Sequence, residues 1–343
     1  MKIRCDRSEM VEKLGEIAGI VPSNSPKPIL FDFLIRTKDG GLEIQATDME
    51  VAGLVRTQDK ARVAASHGAR PVVGDMSEPA SYRDEAAGCD GVVHAGWESS
   101  ARGPAVDRMA IETLRAAVRQ PPGGGASATR FFIYTSGVWI LGSTSGPAAE
   151  DAPANPVAHV AWRPASEHLV AGGAGEGVRA MVVRPGIVYG GGRGIVGDLF
   201  RDAANGLVRI IGTGENRWAA VYDRDLADLY VRLASSADAA GLYHACDESD
   251  DHVTDIVDAI AGQMAVAPEI RRMPLQEASA RLGTYAAALA LDQVVRCPRA
   301  HALGWAPTLH GVARNVPRLF EEWRSADRAG AGVESGGPAH GTR

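Results

Sequence analysis

Two residues four positions apart hold the acid-base potential of this chain: His159, whose imidazole exchanges a proton near neutral pH, and Arg163, whose guanidinium stays charged. On one helix face they are neighbours, and the arginine cation lowers the pKa of a histidine beside it. Pro164 follows at once; inside a helix it removes a backbone donor and can distort the turn that carries both residues. Two glycine-rich runs, 172–177 and 190–194, have the composition that lets a backbone approach phosphate. A dinucleotide cradle needs the order strand, glycine loop, helix, so that free N–H groups face the pyrophosphate. The run 172–177 comes after a helix and before a strand, so it reads as a helix stop. The run 190–194 follows the strand ending at Arg184 and reads as lining a cleft. Cys5, Cys89, Cys246 and Cys297 are scattered with no CxxC spacing, so neither a disulfide frame nor a metal site is expected.

These groups must be positioned by the elements around them. After residue 52, short apolar strands alternate with amphipathic helices, the rhythm of a parallel sheet covered on both faces. Strands are expected at 53–56, 72–74, 91–95, 130–135 and 178–184, with helices between them. Beyond about residue 195 the rhythm loosens, with helices near 223–234, 252–264, 274–283 and 309–325, as in a smaller lobe. Residues 1–52 read differently: an extended start at 2–5, then a helix from Ser8 with Met10, Val11, Leu14 and Ile17 at helical spacing. Proline and serine break it at 22–26, and strands at 28–36 and 42–46 flank the turn Asp39-Gly40-Gly41. The Gly, Ala and Ser-rich stretch 327–343 is expected to be disordered. The resulting domains are 1–52, 53–326 and a tail at 327–343, with the smaller lobe drawn mainly from 190–222 and 240–310.

With 45% hydrophobic and 23% charged residues over 343 positions, the chain has the profile of a globular protein with a large core. Its net charge of -6 gives no general attraction to nucleic acid. No run approaches the roughly 18 apolar residues of a membrane helix, and the start lacks an apolar secretion segment, so a cytoplasmic location is expected. Lysine occurs at Lys2, Lys13, Lys27, Lys38 and Lys60 and nowhere later. The chain reads as two compositions joined end to end, which coding bias or a chimera would equally produce.

Residues 53–326 resemble the extended short-chain dehydrogenase/reductase family, the NAD-dependent epimerase and dehydratase group. The pieces that carry the likeness are Gly53-Leu54-Val55-Arg56, Val73-Gly74-Asp75-Met76, Val92-Val93-His94-Ala95-Gly96, Tyr134-Thr135-Ser136-Gly137-Val138-Trp139, Arg184-Pro185-Gly186-Ile187-Val188-Tyr189-Gly190 and Asp223-Arg224-Asp225-Leu226-Ala227. The resemblance implies an α/β fold, a Rossmann-like doubly wound parallel sheet with a smaller C-terminal substrate lobe, and an oxidoreductase or epimerase that uses NADP or NAD. Residues 1–52 resemble the amino terminus of the bacterial sliding clamp, the β subunit of DNA polymerase III, through Met1-Lys2-Ile3, the helix from Ser8, Pro28-Ile29-Leu30 and Ala46-Thr47-Asp48-Met49-Glu50. A clamp closes its ring with repeated domains that are absent here.

The family's usual first strand and glycine-rich loop are missing. That strand is central in the order 3-2-1-4-5-6, so its loss splits the sheet. The segment 2–5 with helix 8–20 has the right strand-helix order to fill the slot, leaving 22–49 looped out. By resemblance, Arg56 meets the 2'-phosphate of NADP, which favours NADP over NAD; Asp75 contacts the adenine, His94, Ala95 and Gly96 border the ribose and pyrophosphate, and Pro185 and Ile187 border the nicotinamide. Active family members pair a Ser or Thr with Tyr-x-x-x-Lys, and no lysine follows Lys60. Counting from Glu167 puts His159 at the tyrosine position and Arg163 at the lysine position; counting from Gly142 puts Gly137 at the Ser/Thr position, with Ser136 beside it. On the substrate side Arg217 would hold a phosphate and Trp218 stack on a ring, with Tyr189 and Tyr222 in the same cleft, for a small molecule such as a nucleotide-sugar. Asp223 and Asp225 read as caps of the next helix. A homodimer is compatible with this pattern. Three readings stay open: an enzyme of this family with impaired cofactor binding and catalysis, a non-catalytic binding protein or chimera, and a clamp-derived replication factor.

Overall fold

Hydrophobic patterning and turn chemistry build two units, Met1–Gly88 and Cys89–Arg343. The computed structural model describes residues 34–38, 41–45, 50–119, 130–172 and 177–334. The expected strand 2–5 and helix 8–20 lie outside the described residues. In the first unit Leu34–Lys38 (β1) and Gly41–Gln45 (β2) pair antiparallel with Lys38 opposite Gly41, as the hairpin reading requires. Ala52–Val55 (β3) then pairs in parallel with Arg70–Val73 (β4) across the helix Gln58–Ser66 (α1). That helix begins where extended Thr57 accepts the Lys60 N–H on its Oγ1 at 3.3 Å. A short helix, Arg83–Ala87 (α2), ends the unit. Among the described residues β3 pairs with β4 alone, and this βαβ element lies in the first unit, which ends at Gly88.

The second unit holds the larger sheet. Gly91–His94 (β5), Arg130–Thr135 (β6) and Val178–Pro185 (β7) run in parallel, and each crossover carries a helix, Gly103–Arg119 (α3) and then Arg163–Ala171 (α4). Gly172 ends α4, as the glycine run there predicts. Side chains alternate across the pleat. Phe132, Tyr134, Ala180 and Val182 face one cluster with Ile111, Val118 and Val170 of the two helices. Ile133, Met181 and Val183 face the other, with Leu229 and Leu233 of Asp223–Ser235 (α6). Both faces are therefore apolar, and the strands read as unbroken hydrophobic runs.

Past Gly186 the chain leaves this sheet. A Cβ at Gly186 would come within 2.5 Å of the Ala219 carbonyl oxygen, so no larger residue passes there. Ile187–Tyr189 (β8) pairs in parallel with Ala220–Tyr222 (β10), and Leu207–Ile211 (β9) with Glu269–Met273 (β12), while Gly241–Ala245 (β11) rejoins β7. Gly194–Ala204 (α5), Val253–Gln263 (α7) and the start of Val316–Glu334 (α11) enclose a second core around Phe200, Val208, Ile256 and Leu319. Leu275–Leu282 (α8), Tyr285–Leu289 (α9) and Pro298–Ala302 (α10) complete the lobe. The helix expected at 309–325 runs instead from Val316 to Glu334, into the stretch expected to be disordered. Among the described residues no helix is long and apolar enough to cross a membrane.

One ion pair ties α4 to β7. Arg184 Nε and Nη2 donate to Glu167 Oε1 and Oε2 at 2.9 and 2.6 Å, with both side chains buried. Removing one partner leaves a buried charge without compensation. Glu167→Ala is expected to cost about 3–5 kcal/mol of stability, read as a fall in the urea midpoint at unchanged slope.

Candidate functional site

In open α/β sheets ligands lie beyond the carboxyl ends of the strands. There, past β6 and β7 of the second unit, is a cavity of about 800 Å³. The end of β6 contributes Ser136 and Gly137, the bend after β7 contributes Pro185 and Ile187, and the approach to α4 contributes His159 and Arg163. Five of the expected site residues, Ser136, His159, Arg163, Pro185 and Ile187, thus line one space.

Ser136 donates its N–H to the Val183 carbonyl at 2.8 Å, which fixes it at the strand end. Its Oγ is buried and has no hydrogen-bond partner among the described residues. An orphaned buried hydroxyl is costly, and such groups mark sites that bind. Gly137 beside it is extended, with φ of 178°, and a Cβ there would find the Pro185 oxygen no nearer than 3.8 Å.

His159 lies in a short 3-10 turn, Ala158–Val160, and α4 starts separately at Arg163. The two residues therefore do not share one helix. Pro164 falls in the first turn of α4, where its missing N–H has no intrahelical partner to lose, so it does not distort the helix. His159 Nδ1 is 3.2 Å from Thr284 Oγ1, and its ring meets Tyr285 and Trp139 at centroid distances of 5.3 and 6.1 Å. Burial first, and the Arg163 charge second, hold its pKa below the ordinary value. Arg163 Nη1 donates to the Thr135 carbonyl at 3.0 Å, and the guanidinium lies over the Trp162 ring at 4.6 Å. Trp162 in turn stacks on Trp97 at 4.8 Å.

Beneath the cavity sits a buried carboxylate, Asp107 of α3. It accepts from Tyr134 Oη at 3.0 Å and Ser166 Oγ at 2.9 Å, and His94 Nε2 lies 3.0 Å from its other oxygen. Burial raises the Tyr134 hydroxyl well above the usual phenol range, so it stays protonated and donates. His94 is thereby turned into the interior, while Ala95 and Gly96 are exposed after β5.

The remaining expected site residues do not join the cavity. Arg56 is exposed at the end of β3 in the first unit, and Asp75 in the same unit accepts the Ser77 N–H and hydroxyl at 2.8 and 2.7 Å. Tyr189 is fully buried and donates to Asp247 at 2.8 Å. Trp218 is buried with its Nε1–H on the Leu289 carbonyl, and Arg217 forks onto Asp292 at 2.8 and 2.7 Å. Tyr222 is buried, donating to Glu322 and accepting from Arg318. Each of these four, expected in the substrate cleft, spends its polar group on an internal partner. Nor does Asp225 cap α6; its carboxylate accepts from Thr308 and Leu309 and ties the helix to a distant loop. The rings missed from the sequence are Trp97, Trp139, Trp162 and Tyr285. A signal existed, because each tryptophan adjoins a motif residue: Gly96, Val138 and Arg163.

Comparison with known proteins shows the family and the fold. Residues 43–246 match the model of the NAD dependent epimerase/dehydratase family, and residues 1–69 match that of the DNA polymerase III beta subunit, N-terminal domain. An uncharacterized protein of Schizosaccharomyces pombe is 28% identical over 269 residues, covering 76% of this chain and 87% of its own length. A human epimerase family protein, solved with NADPH, superposes with a TM-score of 0.62 at 17% identity, over 80% of this chain and 99% of that one. The Thermus thermophilus UDP-glucose 4-epimerase, solved with NAD, gives 0.60 at 20% identity, over 74% and 85%.

The burial and charge around His159 make a direct prediction. An NMR titration of its ring should show a midpoint below about 6.5. In Arg163→Gln, with the neighbouring cation gone, the midpoint should move upward.

Proposed function

The chain belongs to the NAD dependent epimerase/dehydratase family, and we propose that it is a nicotinamide-dependent oxidoreductase or epimerase acting on a carbonyl or alcohol held beyond β6 and β7. The observation that carries this reading is the convergence of Ser136, His159 and Arg163 with the Pro185–Ile187 bend on one cavity. The residues fit the nicotinamide end of such a cofactor: Pro185 and Ile187 would border the ring, and the orphaned Ser136 hydroxyl supplies a polar group nearby. The glycine turn that the family uses for the pyrophosphate is not found ahead of β3 among the described residues. A nicotinamide held there would supply the hydride chemistry, giving or taking a hydride at the substrate carbon. His159 would serve as the base that takes the proton from a substrate hydroxyl as the alcohol is oxidised, since its lowered pKa favours the neutral ring, and the imidazolium so formed would return that proton to the oxygen in the reverse direction. With Nδ1 on Thr284, Nε2 is the nitrogen left to exchange the proton. Ser136 Oγ hydrogen-bonds the same oxygen, and Arg163 holds a fixed positive charge beside it.

Arg56, exposed at the end of β3, supports a preference for NADP through its guanidinium. The match of residues 1–69 to the polymerase subunit domain favours a second reading, in which this segment was joined to an epimerase-family chain that had lost its own first strand. Sequencing the native gene tests it: an uninterrupted frame through codons 45–60 would eliminate an assembly error as the origin of the join.

Calorimetric titration with NADPH and NADH tests the cofactor reading. Micromolar NADPH binding is expected, weakened about tenfold by Arg56→Ala with NADH unaffected. His159→Ala should bind cofactor normally and lose roughly 10²–10⁴-fold in kcat. Absence of heat up to millimolar cofactor, from folded protein, overturns the reading.

A further inference from the structure

The cavity is built from rings and carries little charge. Trp97 and Trp162 stack at 4.8 Å with their planes 9° apart. Trp139, His159 and Tyr285 form a second cluster, with centroids 5.3 to 6.1 Å apart. Val138, Val160 and Ile187 add aliphatic surface. Among the lining residues Arg163 is the single permanent charge, and no carboxylate is present. One arm of that arginine is held by the Thr135 carbonyl and its face lies on Trp162.

A nucleotide-sugar brings two phosphate charges, which proteins recognise with several cationic or N–H donors. The cation expected to grip phosphate, Arg217, is instead neutralised by Asp292, and the ring expected to stack on a base, Trp218, is sealed in the core. What the cavity offers is aromatic surface together with uncharged polar groups, from Ser99, Ser100, Ser136, Tyr285 and His159, and the one Arg163 cation. Flat rings bind such surfaces by offset stacking and edge contacts. A volume of about 800 Å³ is within the range that holds a drug-sized molecule.

We infer that the substrate is an uncharged, flat aromatic aldehyde or ketone, or the matching alcohol, and not a nucleotide-sugar. As a substrate assignment this rests on the oxidoreductase reading; as a statement about what the cavity binds it stands on the lining alone.

The test is calorimetry on the full chain with 2-naphthaldehyde and with UDP-glucose, each with and without NADPH. The aldehyde is expected to bind at least about tenfold more tightly than the nucleotide-sugar. Trp139→Ser and, separately, Tyr285→Ser should each weaken the aldehyde about tenfold while the thermal midpoint shows the protein still folded. Two variants are used so that misfolding of one does not decide the result. Equal or tighter binding of UDP-glucose overturns the inference, as does aldehyde binding indifferent to both substitutions or no aldehyde binding at all. The two failures are separable. NADPH binding with UDP-glucose preferred removes the aromatic assignment and keeps the oxidoreductase; aldehyde binding without NADPH binding removes the oxidoreductase and keeps an aromatic-binding cavity.

Discussion

Burying a carboxylate costs several kcal/mol unless its oxygens are met by donors, and Asp107 is only 4% exposed. Its partners come from three different elements: His94 from β5, Tyr134 from β6 and Ser166 from α4. The cost of burial is thus offset only when α3, the two strands and α4 take their native places together. The site inherits that arrangement. The Tyr134 oxygen lies 3.4 Å from Arg163 Nη1, which also donates to the carbonyl of Thr135, the residue after Tyr134. The Arg163 charge, which adds to burial in lowering the His159 pKa, is therefore placed by a network that starts from one buried acid. The Glu167–Arg184 pair fixes the same helix to the next strand one turn further on, so α4 is held to β6 and β7 by polar contacts as well as by Val170 in the core.

The central sheet was legible because burial on both faces removes the polar alternation that would blur its strands. The reading of 130–135 coincides with β6, and 178–184 with β7 to within one residue. The lobe was harder. Its helices near 252–264 and 274–283 are present, but β9 and β12 went unread, since Glu269, Arg271 and Arg272 make β12 too polar to resemble a core strand. The last helix was placed too early because 313–315 form a 3-10 turn and Pro317 favours the first turn of the helix that follows.

Within the second unit, residues counted from a local fixed point line the cavity, whereas Arg217 and Tyr189 are engaged by partners distant in sequence. Gly142 and Glu167 served as fixed points, and each has a structural duty of its own. Gly142 has a φ of +66° and a Cβ there would meet the Asn155 oxygen at 2.4 Å; Glu167 holds Arg184. Counting a few residues back from them reached Ser136, His159 and Arg163, all in the cavity. Arg217, by contrast, is claimed by Asp292, 75 positions away, and Tyr189 by Asp247, 58 positions away. No local pattern announces such pairings. Asp107 escaped notice for the same reason, its role appearing only when three elements converge on it.

Under the proposed reading, His159 and Arg163 stand where the family resemblance implies a tyrosine and a lysine, and that difference would change more than two side chains. Lysine can lose its proton when buried, whereas arginine cannot, so in this site the histidine is the member of the pair that titrates. Arginine also needs different company. Its planar group lies flat on an aromatic face, and here it rests 4.6 Å from the Trp162 ring, which is itself stacked on Trp97. A lysine would gain less from those rings, and without a cation over it the tryptophan pair would keep only its mutual contact. The arginine, the stacked tryptophans and the weakened basicity of His159 are best understood as one arrangement, in which the fixed charge is accommodated by surfaces that leave the rest of the cavity apolar.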